Sequence, residues 1–472
     1  MIRTTFRSSP GFWSSALTVT VIAGCLAIAP AAAGDHPKSE NEVASGMAAH
    51  TLCSAVFVSN LSPDVVVQEH IELVLGPLAR GLEYDVDRRE RSVTATLEHA
   101  TATARHQDGF GCRLERRQIG SVKEAPRSAG APGSSAASPV VPHDPLLAAA
   151  LDTVFAERAG EPVKAVKAVV VVRDGRILAE RYGEGAGADT PLLGYSIAKS
   201  FTNALLGVLV HQGRLSEKDA VAAPEWQGRI DPSHRPITLE DLLRMQSGID
   251  APESQSAESP VARMLFVEGD MAGYAASRPF LGPPGADFDY TSANTLLLAR
   301  VLGQEIGGGA EGMRAFAERN LFEPLGMSDT TMEFDGRGVF VGSSFIYATA
   351  RDYARFGELY RNDGVAPDGR RLLPAGWVAW SRRSALGAPY GAGFWTNDGP
   401  SPPAAQRIRA GFPADGFFAS GVLGQRIYIV PSARLVVVRL GHSAPPDFGI
   451  GDDLALIAAA IAAAPDPDAE AL

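Results

Sequence analysis

The chain contains few residues of the kinds that ligate metals, and it has no strongly basic surface segment. It has three cysteines and nine histidines in 472 residues, without the paired-cysteine or H-x-x-x-H spacing of zinc sites. The formal net charge is −11 and no Lys/Arg cluster offsets it, which argues against a nucleic-acid-binding protein. We therefore expect no metal, no organic cofactor and no nucleic-acid partner.

No apolar run beyond the N-terminus is long enough to cross a bilayer. The N-terminus has the pattern of a signal peptide over residues 1–33: Arg3 and Arg7, then ALTVTVIAGCLAIAPAAA, then the polar GDHPKSE. A lipid anchor is the alternative, because IAGC, ending at Cys25, resembles a lipobox, but the apolar residues that follow argue against it. We expect a secreted or periplasmic protein without a membrane span.

Two cysteines remain after removal of the signal peptide, Cys53 and Cys112. An even pair in an oxidising compartment favours a disulfide over two buried thiols. Both lie in a predicted small α+β domain, residues 50–123. It comprises a strand in TLCSAVFVS, a helix in SPDVVVQEHIELVL, a hairpin in LEYDVDRRERSVTATLE and a closing strand in HQDGFGCRLE. It contains no catalytic constellation, so we predict an accessory or packing module.

An Ala/Pro/Ser-rich linker is predicted for residues 124–145, and a larger unit for residues 146–463. That unit begins with a predicted hairpin, KAVVVVRDGRILAERYG, and ends with another, QRIYIVPSARLVVVRLG, followed by a helix in DDLALIAAAIAAA. Mostly helical sequence lies between the hairpins. We therefore predict an α+β fold, with one antiparallel sheet flanked by helices, a mainly helical subdomain, and the small N-terminal α+β domain before them.

The stretch GYSIAKSFTNALLGVL places Ser196 and Lys199 three positions apart at the head of an apolar helix. Side chains at this spacing share a helix face and can meet. A serine needs a neighbouring base to become a nucleophile, and burial lowers the pKa of a lysine enough for it to serve. The S-x-x-K pattern alone is a weak signal, because a capping serine and a surface lysine also produce it.

Two later segments carry further candidates. In PPGADFDYTSANTLLLARVLG, Tyr290 precedes Ser292, and a tyrosine hydroxyl close to a lysine can pass a proton to a leaving group. In FFASGVLGQRIYIVP, the small residues Ala419, Ser420 and Gly421 open a strand where a backbone N–H could bind an oxyanion. The alternatives are a core tyrosine and a simple glycine bulge.

Together, in this order and spacing, these segments resemble the serine hydrolases of the penicillin-recognising fold. That group includes class C β-lactamases, DD-peptidases, related esterases and 6-aminohexanoate-dimer hydrolases. The stretches ITLEDLLRMQSGID, LFEPLGMSDTTM and YATARDYARFGELYRNDG match it too, so the resemblance covers most of the large unit. It implies a β-lactamase/transpeptidase-like fold, with Ser196 as the acylated nucleophile, Lys199 as its base and Tyr290 as proton relay. It also implies an oxyanion hole formed by the backbone N–H groups of Ser196 and Val422.

Two departures from the common motifs of this group indicate which of its branches the chain resembles. Tyr-x-Ser stands at 290–292 where Tyr-x-Asn is common, and Ala-Ser-Gly stands at 419–421 in place of Lys-Thr-Gly. The missing lysine helps hold the carboxylate of a β-lactam or a D-alanyl peptide, so its absence argues against those substrates. Similarity to the 6-aminohexanoate-dimer hydrolase branch implies substrate contacts for Ser292, Asp270, Tyr274, Ser420 and Gly421. A helix cap and a packing tyrosine are the alternatives for Asp270 and Tyr274.

We therefore predict an exported serine hydrolase that cleaves a small-molecule amide or ester through a Ser196 acyl-enzyme. One alternative is a Ser-His-Asp α/β-hydrolase, because GYSIA approaches the G-x-S-x-G motif and His442 lies late in the chain. The missing βα alternation and an idle Lys199 argue against it. The other alternative is a non-catalytic cell-envelope binding protein on the same fold, against which the intact Ser196, Lys199 and Tyr290 argue.

Overall fold

The computed structural model describes residues 40–115, 138–229, 234–254, 256–446, 448–464 and 470–472. The predicted signal peptide, Cys25 and most of the predicted linker lie outside the described residues. Within these ranges, no helix combines the length and apolar character needed to cross a bilayer.

The N-terminal unit, residues 40–115, packs a long helix against a four-stranded antiparallel sheet. The strands lie in sequence order, β1-β2-β3-β4, and α1 crosses β2, β3 and β4. Its elements are α1 (Glu40–Phe57), α2 (Pro63–Val66), a π-helical turn (Val67–Ile71), α3 (Glu72–Leu75), a 3₁₀ turn (Gly76–Ala79), β1 (Glu83–Asp87), β2 (Ser92–Leu97), β3 (Ala100–Gln107) and β4 (Gly111–Leu114).

The strand predicted for TLCSAVFVS is wrong, because these residues belong to α1, which begins at Glu40. All side chains from Val43 to Val56 are buried. A helix that is buried all round shows no clear 3.6-residue apolar period, so its sequence resembles that of a buried strand. The predicted helix, hairpin and closing strand of this unit are confirmed. Cys53 on α1 and Cys112 on β4 form the predicted disulfide, with their Cα atoms 6.1 Å apart.

The large unit is built on a seven-stranded antiparallel sheet of order β10-β11-β12-β13-β5-β6-β14. Strand β13 pairs with β5 along its whole length, so the two predicted hairpins share one sheet and the predicted fold class is confirmed. A second, three-stranded sheet has the order β7-β9-β8. The strands are β5 (Val166–Arg173), β6 (Arg176–Tyr182), β7 (Leu192–Leu193), β8 (Thr331–Met332), β9 (Ile346–Ala348), β10 (Trp395–Thr396), β11 (Phe417–Gly421), β12 (Gln425–Val430), β13 (Leu435–Gly441) and β14 (Glu470–Ala471).

Helices cover both faces of the seven-stranded sheet. Val169 and Val171 of β5 face the core formed with α4 and α15, and Val170 and Val172 face the core on the other side, against which α12 packs. Burial on both faces explains why β5 is a continuous run of valines rather than an alternating pattern. The helices are α4 (Pro145–Phe155), α5 (Ala198–His211), α6 (Leu239–Leu243), α7 (Pro260–Phe266), α8 (Met271–Ser277), α9 (Ser292–Ile306), α10 (Gly309–Ala317), α11 (Glu323–Leu325), α12 (Ala350–Arg361), α13 (Trp377–Ser381), α14 (Pro402–Arg409) and α15 (Ile450–Ala462).

A buried ion network fastens α15 to the sheet. Asp453 of α15 accepts a hydrogen bond from the Tyr428 hydroxyl at 2.8 Å. It also lies 3.5 Å from Nη1 of Arg426 and 3.8 Å from Nε of Arg439, and all three ionic side chains are almost fully buried. Burial raises the pKa of Asp453, while the two guanidinium groups oppose that shift. The closing helix is therefore held by charge as well as by apolar contact.

Candidate active site

Ser196 lies in a 3₁₀ turn, Tyr195–Ile197, that leads directly into α5. The end of β11 packs against this turn. A Cβ atom at Gly421 would lie 2.2 Å from the carbonyl oxygen of Gly194, so only glycine allows this approach. Ser196 is half-buried, at the junction between the seven-stranded sheet and α5.

Lys199, one turn after Ser196, is 1% exposed, and its amine contacts three oxygen atoms. Its Nζ lies 2.9 Å from Oγ of Ser196, 3.0 Å from Oγ of Ser292 and 3.0 Å from the carbonyl oxygen of Ser343. The helical spacing accounts for the first contact. The other two come from the start of α9 and from the loop between β8 and β9, which no sequence spacing indicates.

The partners of the amine determine where its lone pair can point. The carbonyl oxygen of Ser343 can only accept a hydrogen bond. Ser292 donates its hydroxyl proton to Oε1 of Glu253 at 2.9 Å, so its oxygen is free to accept from Lys199. A neutral amine has two N–H donors, and these two acceptors take both. The lone pair is then left for the hydroxyl of Ser196.

The pKa shifts in the site suit Lys199 to act as a base and Tyr290 to act as a proton donor. Burial lowers the pKa of Lys199 to about 8, although the charge of Glu253 acts in the opposite direction. Burial, reinforced by Glu253, raises the pKa of Tyr290 far above its ordinary value, and a hydrogen bond with Ser196 only partly offsets this. A proton can therefore leave Lys199 near neutral pH, whereas Tyr290 stays protonated.

Glu253 is a site residue that the sequence did not reveal. It accepts from both the backbone N–H (2.7 Å) and the hydroxyl (2.9 Å) of Ser292, and it lies in the loop that follows the stretch ITLEDLLRMQSGID, outside the quoted motifs. The loop is tied to the start of α9, because the hydroxyl of Thr291 donates to the carbonyl of Ala251 at 2.5 Å. A lone glutamate in a loop carries no local pattern, and only the Tyr-x-Ser departure at 290–292 could have suggested a partner for Ser292.

The peptide after β11 is fixed by a glutamine. Nε2 of Gln425 donates to the carbonyls of Val422 (3.2 Å) and Gly441, and Oε1 of Gln425 accepts from N–H of Gly441 at 3.0 Å. Val422 follows directly on Gly421, whose backbone contacts the Ser196 turn. Ser420, the preceding residue, is half-buried and faces Arg426 in the strand register.

Aromatic rings surround the Lys199 amine on the side of Tyr290. The ring of Tyr290 lies 5.4 Å from that of Tyr390 and 5.3 Å from that of Trp395, centroid to centroid. Phe288 extends the cluster by packing on Tyr390 at 5.8 Å. Nζ of Lys199 lies 5.0 Å from the centroid of the Tyr290 ring. These rings exclude water around the amine, which is the cause of its lowered pKa.

Three residues that the sequence analysis singled out make their contacts away from the nucleophile. Asp270 caps α8 by accepting from N–H of Gly273 at 2.7 Å, and it pairs with an exposed arginine, Arg337. Tyr274 packs between two arginine side chains. His442 packs on His70 and lies 3.9 Å from Glu69 in the N-terminal unit. Asp270 is thus a helix cap and Tyr274 packs against arginines, but their predicted substrate contacts stay predictions, and the partners described for His442 do not include the nucleophile.

Within the described residues, acidic, histidine and cysteine side chains do not converge on a metal site. Across the described ranges, no three of them form a group that could hold an ion.

Comparisons with known proteins match the large unit. Residues 151–461 match the family model described as Beta-lactamase. A 6-aminohexanoate-dimer hydrolase of Paenarthrobacter ureafaciens is 28% identical over 297 residues, 59% of this chain and 73% of that protein. EstCE1, a hydrolase with promiscuous acyltransferase activity, superposes with a TM-score of 0.52 at 16% identity, over 67% of this chain and 98% of EstCE1. A penicillin-binding protein homologue from Caulobacter crescentus gives a TM-score of 0.50 at 18% identity, over 68% and 98% of the two chains.

Proposed function

Because the chain belongs to the β-lactamase family of serine hydrolases, we propose that it cleaves an amide or ester bond through an acyl-enzyme on Ser196. The observation that carries this proposal is the contact between Nζ of Lys199 and Oγ of Ser196, 2.9 Å, with the other two partners of the amine already fixed. A buried lysine with a pKa of about 8 is a competent base for a serine that contacts no histidine among the described residues.

The proposed reaction begins with attack of Oγ of Ser196 on the substrate carbonyl while its proton passes to Nζ of Lys199. The backbone N–H groups of Ser196 and Val422 stabilise the oxyanion, and Gln425 holds the peptide unit that follows the second of them through the Val422 carbonyl. Tyr290 donates its proton to the leaving nitrogen or oxygen and regains one from the Lys199 ammonium. The ester or amide bond breaks as the tetrahedral intermediate collapses to the acyl-enzyme.

Deacylation reverses these proton transfers with water in place of the leaving group. Water attacks the acyl carbonyl as its proton passes through Tyr290 to Lys199, and the proton then returns to Oγ of Ser196. The acid is released and each group regains its starting protonation state. The scheme needs no group beyond those of the site and water.

The substrate is proposed to be a linear amide or ester rather than a β-lactam. Ala419 stands where a lysine binds the β-lactam carboxylate in the related enzymes, and Glu253 adds a negative charge next to Ser292. The relative from Paenarthrobacter ureafaciens is a 6-aminohexanoate-dimer hydrolase, which supports a linear amide. Substrate contacts for Ser292, Ser420, Gly421, Asp270 and Tyr274 remain part of this proposal.

Export is proposed on two grounds. The sequence predicts a signal peptide in residues 1–33, and Cys53 and Cys112 are joined, as is usual outside the reducing cytoplasm. Lipidation at Cys25 is the alternative to cleavage at the end of that segment. The mass of the mature N-terminal peptide distinguishes the two.

A fluorophosphonate probe and p-nitrophenyl acetate test the proposal on four forms of the mature protein. Ser196→Ala and Lys199→Ala are expected to lose labelling and ester hydrolysis, and His442→Ala is expected to retain both. Loss with Ser196→Ala and His442→Ala, but not with Lys199→Ala, would instead indicate a histidine-dependent triad. A folded wild type that neither labels nor hydrolyses esters would favour a binding protein.

A further inference from the structure

One side chain of the N-terminal unit reaches the turn that carries the nucleophile. Nε2 of His70, in the π-helical turn Val67–Ile71, is hydrogen-bonded to the hydroxyl of Tyr195. The two rings meet edge to face with their centroids 5.6 Å apart. Tyr195 directly precedes Ser196, and His70 is only 3% exposed. The two units are thus in direct contact one residue away from the reacting oxygen.

The contact matters because the backbone of Tyr195 has an unusual conformation. Its φ is +48°, in the left-handed region that residues with bulky side chains rarely adopt. A residue in that region persists only where its surroundings fix it. The backbone of Gly421 supports the turn from one side, since a Cβ there would lie 3.0 Å from Cβ of Tyr195. The hydroxyl end of Tyr195 is held by His70.

The N-terminal unit is itself anchored, so His70 has a fixed position. Glu333 of the large unit is fully buried and accepts from the hydroxyl of Ser54 and from N–H of Cys112, both at 2.7 Å. Oε2 of Glu333 lies 2.9 Å from Nε2 of His50. Three groups of the N-terminal unit, two of them next to or within the disulfide, therefore share one carboxylate.

A second ionic contact lies beside His70 itself. Glu69, the residue before it, pairs with Lys167 of β5 at 2.6 Å. His442, which follows β13, packs its ring against His70 at a centroid distance of 4.6 Å. The turn Val67–Ile71 is thereby attached to the central strands of the large sheet.

We propose that His70 is a positioning residue of the hydrolase: the N-terminal unit holds the Tyr195 hydroxyl through His70 and so fixes the turn that presents Ser196. The accessory unit then forms part of the active-site wall and is not a separate module. This inference rests on the proposed role of Ser196 as nucleophile.

The protonation state of His70 agrees with that role. Burial, with a smaller contribution from His442, lowers the pKa of His70 well below its ordinary value. Burial raises the pKa of Tyr195. A neutral imidazole that accepts at Nε2 from a protonated phenol matches both directions.

The test compares kcat and KM for p-nitrophenyl acetate in wild type, His70→Ala, Tyr195→Phe and the double variant. Tyr195→Phe keeps the ring and removes only the hydroxyl, so it tests the bond without opening the interface. We expect each single variant to lose at least about tenfold in kcat with little change in KM, because small displacements of a reacting group are costly. The double variant should lose no more than the single ones, since both remove the same bond.

Controls separate positioning from folding. His99→Ala changes an exposed histidine of the same unit, 76% exposed at the side chain, and should match wild type. His70→Gln, whose Oε1 can accept from Tyr195, should recover most of the loss. Wild-type kcat in Tyr195→Phe and His70→Ala, or additive losses in the double variant, would overturn the inference while Ser196→Ala remained inactive. Residual activity in Ser196→Ala would instead overturn the proposed function.

Discussion

Nζ of Lys199 and Oγ of Ser292 lie 3.0 Å apart, and the hydroxyl of Ser292 in turn donates a hydrogen bond to Glu253. The serine at the third position of the Tyr-x-Ser motif therefore links the buried amine to a carboxylate. This link decides which way the amine lone pair points and how strongly the amine holds its proton. The account of catalysis depends on it as much as on the S-x-x-K spacing.

Ser292→Ala should lower kcat for ester hydrolysis by roughly 10- to 100-fold, the equivalent of about 1–3 kcal/mol for a buried polar partner left unsatisfied. Lys199 would lose the acceptor that turns its lone pair towards Ser196. Steady-state kinetics on p-nitrophenyl acetate measure the change. Ser328→Ala, an exposed serine bonded to its neighbour Asp329, is the control, and wild-type kcat in Ser292→Ala would contradict the account.

The pH profile should report the protonation of Lys199. Because its pKa is about 8 and the neutral form is the base, kcat/KM should rise with pH through that value. Glu253 raises the pKa of Lys199, so Glu253→Gln should move the rising limb to lower pH. A limb that stays in place or moves to higher pH in Glu253→Gln would show that another group titrates.

Substrate preference should follow the charge of the pocket. Nitrocefin and benzylpenicillin carry a carboxylate, and no lysine stands at position 419 to bind it. We expect hydrolysis of p-nitrophenyl acetate and of linear 6-aminohexanoate dimers, and no measurable turnover of the two β-lactams. Absorbance assays for the ester and the β-lactams, and quantification of released 6-aminohexanoate for the dimers, make the comparison at equal enzyme concentrations. β-Lactam turnover at a rate similar to that of the ester would contradict the proposed substrate class.

Asp453→Ala should destabilise the protein by about 3–5 kcal/mol, because it leaves two buried arginines without their counter-ion. Denaturant unfolding of the mature protein measures the loss. The neighbouring Asp452→Ala removes a more exposed partner of Lys164 and should cost much less. Equal losses in the two variants would show that the Asp453 network contributes little.

The sequence was sufficient for elements whose pattern is local. The strands β5 and β13 are unbroken valine-rich runs beside turn residues, and Ser196 and Lys199 share one helix face whatever surrounds them. Helix α1 was mistaken for a strand because burial on all sides removed its period. The fold class depends on these local strand patterns, so mistaking α1 for a strand did not change it.

Contacts between distant segments could not be predicted in the same way. Glu253 meets Ser292 across 39 residues, and His70 meets Tyr195 across 125, and neither Glu253 nor His70 belongs to a motif. Such pairs are fixed by tertiary packing, which a single sequence does not encode in any local pattern. Both contacts involve segments that carry the motifs, so the sequence predicts the reacting groups and the structure adds the contacts that hold those segments.

The most direct measurement is the mass of the protein quenched in acid during turnover of a p-nitrophenyl ester. The account predicts one acyl group per chain, mapped to the peptide that contains Ser196 and absent in Ser196→Ala. Turnover without any covalent adduct, or an adduct on another residue, would contradict the acyl-enzyme at Ser196.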